Sequence, residues 1–125
     1  MTISHKQVID ELREHLRPVF DSSPDGVYVW LDEQNKTCND KLAKLFGYSI
    51  EEWEAVDDFA GTFLADDRGH YVWEYESKVL NLQFPASFRF KGRRKDGSTF
   101  DAQTDMIPLS YGGHTVAYHF VRQVN

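Results

Sequence analysis

Apolar residues in the first stretch of the chain recur at three- and four-residue steps: Val8, Ile9, Leu12 and Leu16, with Asp10, Glu11, Arg13 and Glu14 between them. That spacing predicts an amphipathic helix with one face to bury. Ser4 and Gln7 stand at capping-box spacing, Ile3 and Val8 at the positions of a hydrophobic staple, and Pro18 is expected to mark the helix end. After the turn Ser23-Pro24-Asp25-Gly26 the pattern changes. Val27 to Leu31 is apolar on both alternations, and a polar turn from Asp32 to Asn35 leads into the short segment Lys36 to Cys38. This reads as a hairpin whose first strand is covered on both faces.

From Asn39 to about Leu80 the pattern is helical in short pieces. Asn39 is placed to cap a helix carrying Leu42, Leu45 and Phe46, with Gly47 as its stop, and Ser49 with Glu52 repeats the capping-box spacing before Trp53. Asp66 and Asp67 suit the start of a longer helix through Val72, Tyr75 and Val79. The remainder is strand-rich. Phe88 and Phe90 alternate with polar neighbours, Asp96-Gly97 makes a tight turn, and Phe100, Ala102, Thr104 and Met106 alternate with Asp101, Gln103 and Asp105. Gly112-Gly113 turns the chain into a last strand, Thr115 to Arg122, apolar on both sides. The economical arrangement is an α+β fold: a five-stranded antiparallel sheet with short helices across one face and the N-terminal helix as a lid for the other. A second copy of the chain is the alternative cover.

Composition narrows the function classes. At 125 residues the chain suits one domain, and 41% hydrophobic with 14% aromatic residues excludes a disordered, collagen-like or simple coiled-coil chain. No apolar run approaches the roughly 18 residues that cross a bilayer, and the start lacks the apolar stretch of a secretory signal, so a cytoplasmic location is expected. Cys38 is the single cysteine, which precludes an internal disulfide or a zinc site of paired cysteines. A net charge of -6 argues against nucleic acid as partner. Phosphate-loop, nucleophile-elbow and zinc-helix motifs are absent, and His5, His15, His70, His114 and His119 include no pair spaced to share a helix face, so no metal site and no catalytic residues are expected. Asp57-Asp58 and Asp66-Asp67 read as caps or solvated charge. The basic run Lys91 to Lys95 reads as a solvated hairpin tip.

Four stretches together resemble a PAS domain of the sensory-box type. They are Phe20 to Val27 before the first strand; Asn39 opening a helix that ends Leu45-Phe46-Gly47-Tyr48-Ser49-Ile50-Glu51-Glu52-Trp53; Ala65-Asp66-Asp67-Arg68; and the hairpin Arg94-Lys95-Asp96-Gly97-Ser98-Thr99-Phe100. In order and spacing they span residues 20 to 122, with residues 1–19 a capping helix and 20–125 the sensor domain. The resemblance implies signal sensing and protein contact without catalysis, a helical flank over a small pocket, and a small ligand or signalling partner.

Pocket candidates on this reading are Asn39, Phe46, Trp53, Phe59, Phe63, His70, Trp73, Phe88 and Met106; Val8, Ile9, Leu12 and Leu16 are candidates for a homodimer or partner contact. Haem or flavin binding is the alternative, with His70 near the place where haem-binding members carry their iron ligand. Light-sensing flavin members use a flank cysteine, whereas Cys38 precedes the flank, so adduct chemistry is not expected. A cone-shaped isomerase-like enzyme with Asp101 or Asp105 as interior base is a further alternative. The chain ends Val121-Arg122-Gln123-Val124-Asn125, where many members carry an acidic-aliphatic-threonine exit signal. It is therefore expected to act through non-covalent partners or to be a piece of a larger protein.

Overall fold

The computed structural model describes residues 3–65 and 86–124, apart from the side chains of Ala60, Ala86 and Phe88. The elements are α1 (His5–His15), α2 (Arg17–Ser22), β1 (Gly26–Asp32), β2 (Asn35–Cys38), α3 (Asp40–Phe46), α4 (Ile50–Glu54), α5 (Phe59–Phe63), β3 (Ala86–Arg93), β4 (Thr99–Tyr111) and β5 (His114–Gln123). The strands form one antiparallel sheet in the order β2-β1-β5-β4-β3. The long helix expected after Asp66 lies outside the described residues, as do His70 and Trp73.

Local chemistry sets the element ends. The Ser4 hydroxyl accepts from Gln7 N at 3.1 Å, and Ile3 packs in the same apolar cluster as Val8, which completes the staple. Pro18 does not simply end the helical region: it sits in the first turn of α2, where a fixed φ and a missing N–H cost nothing. Ser49 and Glu52 form a full capping box, and Gly47 ends α3 at φ 83°, in the left-handed region.

Sheet register decides which side each residue faces. Tyr28 pairs with His119, Met106 with His119 and Thr104 with Val121, so these share the inner face beneath the flank helices. Val29, Val116, Leu109 and Tyr111 share the outer face and pack with α1 through Val8, Ile9 and Leu12, all buried. In this chain these three residues pack on its own sheet, the lid arrangement that the pattern also allowed, because α1 folds back over β1 and β5. Leu16 is half-buried at the rim of the same cluster.

Candidate functional site

On the inner face the flank and the sheet meet in a box of rings. Phe63 is its hub, with centroids 5.1 Å from Phe46, 5.6 Å from Trp53 and 5.1 Å from Phe59. Tyr28 on β1 closes the floor at 5.5 Å from Trp53 and 5.6 Å from Phe59. On the sheet side Tyr28 stacks on His119, with ring centroids 4.2 Å apart and ring planes 5° from parallel. Edge-to-face and offset contacts of this kind add to what area burial alone contributes.

Polar groups interrupt this apolar box. His119 is fully buried, and burial pushes its imidazole down to about 3, which keeps the ring neutral. Trp53 Nε1 and Thr104 Oγ1 are buried without a hydrogen-bond partner among the described residues. A buried unsatisfied donor costs about 1–3 kcal/mol, so each invites a polar group from outside. Lys36 points inward from β2 at 2% exposure. Its ammonium donates to the carbonyls of Glu33 and Val56, the latter at 2.6 Å, and lies 6.0 Å from the Trp53 ring.

The structure thus brings Phe46, Trp53, Phe59 and Phe63 together and buries Met106 on the same face, in register with His119. Phe88 pairs with Thr104 in the β3–β4 register, and its side chain is outside the described residues. Asn39 belongs elsewhere. Its Oδ1 accepts from Val27 N and Leu42 N, both at 2.9 Å, while Nδ2 donates to the carbonyls of Phe20 at 3.2 Å and Asp25 at 3.3 Å. With its four hydrogen bonds made, Asn39 is the junction of α2, β1 and α3 rather than a free pocket donor. Beside it a cleft of about 610 Å³ opens between α1–α2 and α3, lined in part by Arg13, Arg17, Thr37 and Lys41. The cations there already hold oxygens: Arg13 those of Asp10, Thr37 and Glu54, Arg17 that of Glu14, and Lys41 the Pro24 carbonyl.

Tyr28, Thr104 and His119 were not among the sequence candidates. β1 and β5 are apolar on both alternations, so pattern alone does not say which set faces the flank; the pairing of Gly26 with Val121 does. Asp101 is exposed and Asp105 faces outward, bonded by Ser87 and Arg122, which leaves the isomerase-like reading without its interior carboxylate. Cys38 sits buried on β2, where burial pushes its thiol pKa up, and α3 to α5 contain no cysteine, so the residues present do not fit flavin adduct chemistry. In the basic run, Lys91 lies near Asp101, Arg93 bonds the Gly61 carbonyl, Arg94 covers the Phe100 ring and Lys95 pairs with Glu52.

A family model for the PAS domain matches residues 14–79. The chain belongs to the PAS-domain family, a signal-sensing fold whose members are generally non-catalytic modules. Solved structures agree on the fold. A PAS domain from a two-component sensor histidine kinase is 17% identical with a TM-score of 0.70, covering 92% of this chain and 99% of that one. The PAS domain of an HTR-like protein from Haloarcula marismortui is 20% identical with a TM-score of 0.66, covering 94% and 96%. A LOV protein from Rhodobacter sphaeroides is 15% identical with a TM-score of 0.74, covering 92% of this chain and 68% of that one. No curated protein sequence matches. Among the described residues no helix is long and apolar enough to cross a membrane.

Proposed function

We propose that this domain binds a small, mostly apolar ligand between flank and sheet and passes the resulting change to a protein partner without catalysis. The observation that carries the reading is a pair of buried polar atoms, Trp53 Nε1 and Thr104 Oγ1, without a partner among the described residues and set in an apolar aromatic interior. A ligand with one or two polar atoms relieves their desolvation cost while its apolar body meets Phe59, Phe63 and Met106. Neutral His119 adds a polar ring that keeps its charge state across physiological pH.

The reading includes self-association as a homodimer, with residues 1–19 capping a sensor domain that begins near residue 20. Because α1 takes one part of the outer face, the surface left for a second copy is the part carrying Ile107, at 39% exposure, with Tyr118 and Phe120 beside it. The test is native mass spectrometry of freshly purified protein against its denatured mass. Excess mass lost on denaturation supports the ligand, and a twofold species lost in Ile107→Glu supports the homodimer. A bare monomeric mass at every protein concentration overturns both.

A further inference from the structure

Five hydrogen bonds and ion pairs meet along and beside the β2 edge of the sheet. From the flank, Phe59 N donates to Glu33 Oε2 at 2.9 Å, and the Val56 carbonyl accepts from Lys36 Nζ at 2.6 Å. The flank therefore hangs on the β1–β2 hairpin, through residues directly beside the aromatic wall. From the other side, His5 Nδ1 donates to Asp32 Oδ2 at 2.5 Å, and Arg13 binds both Thr37 Oγ1 at 3.3 Å and Glu54 Oε2 at 3.0 Å. The hairpin and the end of α4 thus hold α1 at both of its ends.

The hairpin itself is braced. Asp32 accepts from Asn35 Nδ2 at 2.9 and 3.0 Å and from Gln34 N at 2.9 Å, and the β1–β2 register shifts between Trp30 and Asp32. A braced turn with bonds on both sides moves as a unit, so a displacement of Phe59 or Val56 reaches Asp32 and Thr37 without crossing the core.

We propose that the β1–β2 hairpin, with Glu54, is the relay that couples the aromatic wall of the flank to the docking of α1 on the opposite face of the sheet. Glu33, Lys36 and Glu54 receive the movement, while Asp32, Thr37 and Arg13 deliver it to α1. The relay rests on the sensing reading for its purpose, but its test needs no ligand. A chain that binds nothing still couples or fails to couple.

The test is amide hydrogen exchange of the whole chain, read on α1 and, as internal control, on β5. Phe59→Leu alters the wall on the inner face, whereas the apolar cluster of α1 is on the outer face. Coupling energies of this class correspond to about 2- to 30-fold in an opening equilibrium. The expected result is α1 exchange accelerated within that range in Phe59→Leu, β5 unchanged, and no further acceleration when Phe59→Leu is added to Glu33→Ala/Glu54→Ala. Lys36→Met gives an independent cut that leaves both carboxylates in place. Equal acceleration of α1 and β5, no effect of Phe59→Leu on α1, or the same acceleration in both backgrounds overturns the relay.

Discussion

Tyr28 and His119 stack face to face across the β1–β5 pair, 4.2 Å apart and 5° from parallel, at the floor of the aromatic box. The imidazole is fully buried there, and burial holds it at about 3, below its ordinary 6.5. Below pH 6.5 the unfolded chain takes up a proton that the folded chain refuses. Stability from this group is therefore complete above 6.5 and falls as pH drops toward 3. Between pH 7 and pH 4.5 the wild type is expected to lose about 2–3 kcal/mol more than His119→Phe, which keeps the stack but does not titrate. Urea unfolding at the two pH values measures it, and parallel losses in both proteins would refute the assignment.

Thr104→Val replaces an unpartnered buried hydroxyl with a methyl of the same shape. Because no hydrogen bond is lost among the described residues, the ligand-free protein should be unchanged or up to about 1 kcal/mol more stable. If Thr104 serves a ligand, the same variant should retain less of any mass that co-purifies with the wild type. Thermal melts and native mass spectra of the two proteins give both readings.

Asn39→Ala removes acceptors from Val27 N and Leu42 N and donors from the Phe20 and Asp25 carbonyls at one stroke. The loss of the α3 cap together with buried main-chain partners should cost about 2–4 kcal/mol in denaturant unfolding. A loss below about 0.5 kcal/mol means that water replaces the amide fully.

At Asp32, burial raises the carboxyl pKa, but the bonds from His5, Asn35 and Gln34 N outweigh it, and the net value lies below the ordinary 3.8. Its contribution is complete above 3.8 and fades as pH falls through the lower folded value. Asp32→Asn is expected to show a smaller drop in α1 exchange protection than the wild type on acidification from about pH 5 to pH 3. An identical drop in both would place the acid sensitivity of α1 elsewhere.

Gly26 starts β1 against α3, where an added Cβ would lie 2.9 Å from Leu42 Cα, a backbone atom. Gly26→Ala should therefore destabilise by about 1–3 kcal/mol through forced separation of strand and helix. A melting temperature equal to the wild type would show that α3 shifts freely.

Much of this fold was legible in local chemistry. Asn39, Gly47 and the Ser49–Glu52 box announce helix ends because capping is satisfied within a few residues, and Gly112-Gly113 announces its hairpin because both residues take positive φ. The antiparallel five-stranded sheet followed from hairpin spacing, and the aromatic residues Phe46, Trp53, Phe59 and Phe63 were recognisable as one group. Pro18 follows the end of α1 as expected, but the sequence does not say that a second short helix has room to begin behind the first.

Other features had no signature in the chain. Strands apolar on both alternations leave their facing undecided, and only the pairing of Gly26 with Val121 turns His119 and Tyr28 toward the flank. The amphipathic stripe of α1 declares that something covers it; folding back over Val29 and Val116 decides that the cover is its own sheet. Asp32, Glu33, Lys36 and Glu54 look like ordinary turn and helix charges, yet long-range contacts place them between flank and α1. Most of the described elements, their caps and the antiparallel sheet were readable in the chain alone, because those depend on neighbours a few residues away. Which face each strand presents, what α1 covers and which polar atoms are left buried were decided by tertiary structure alone, because they depend on residues brought together from distant parts of the chain.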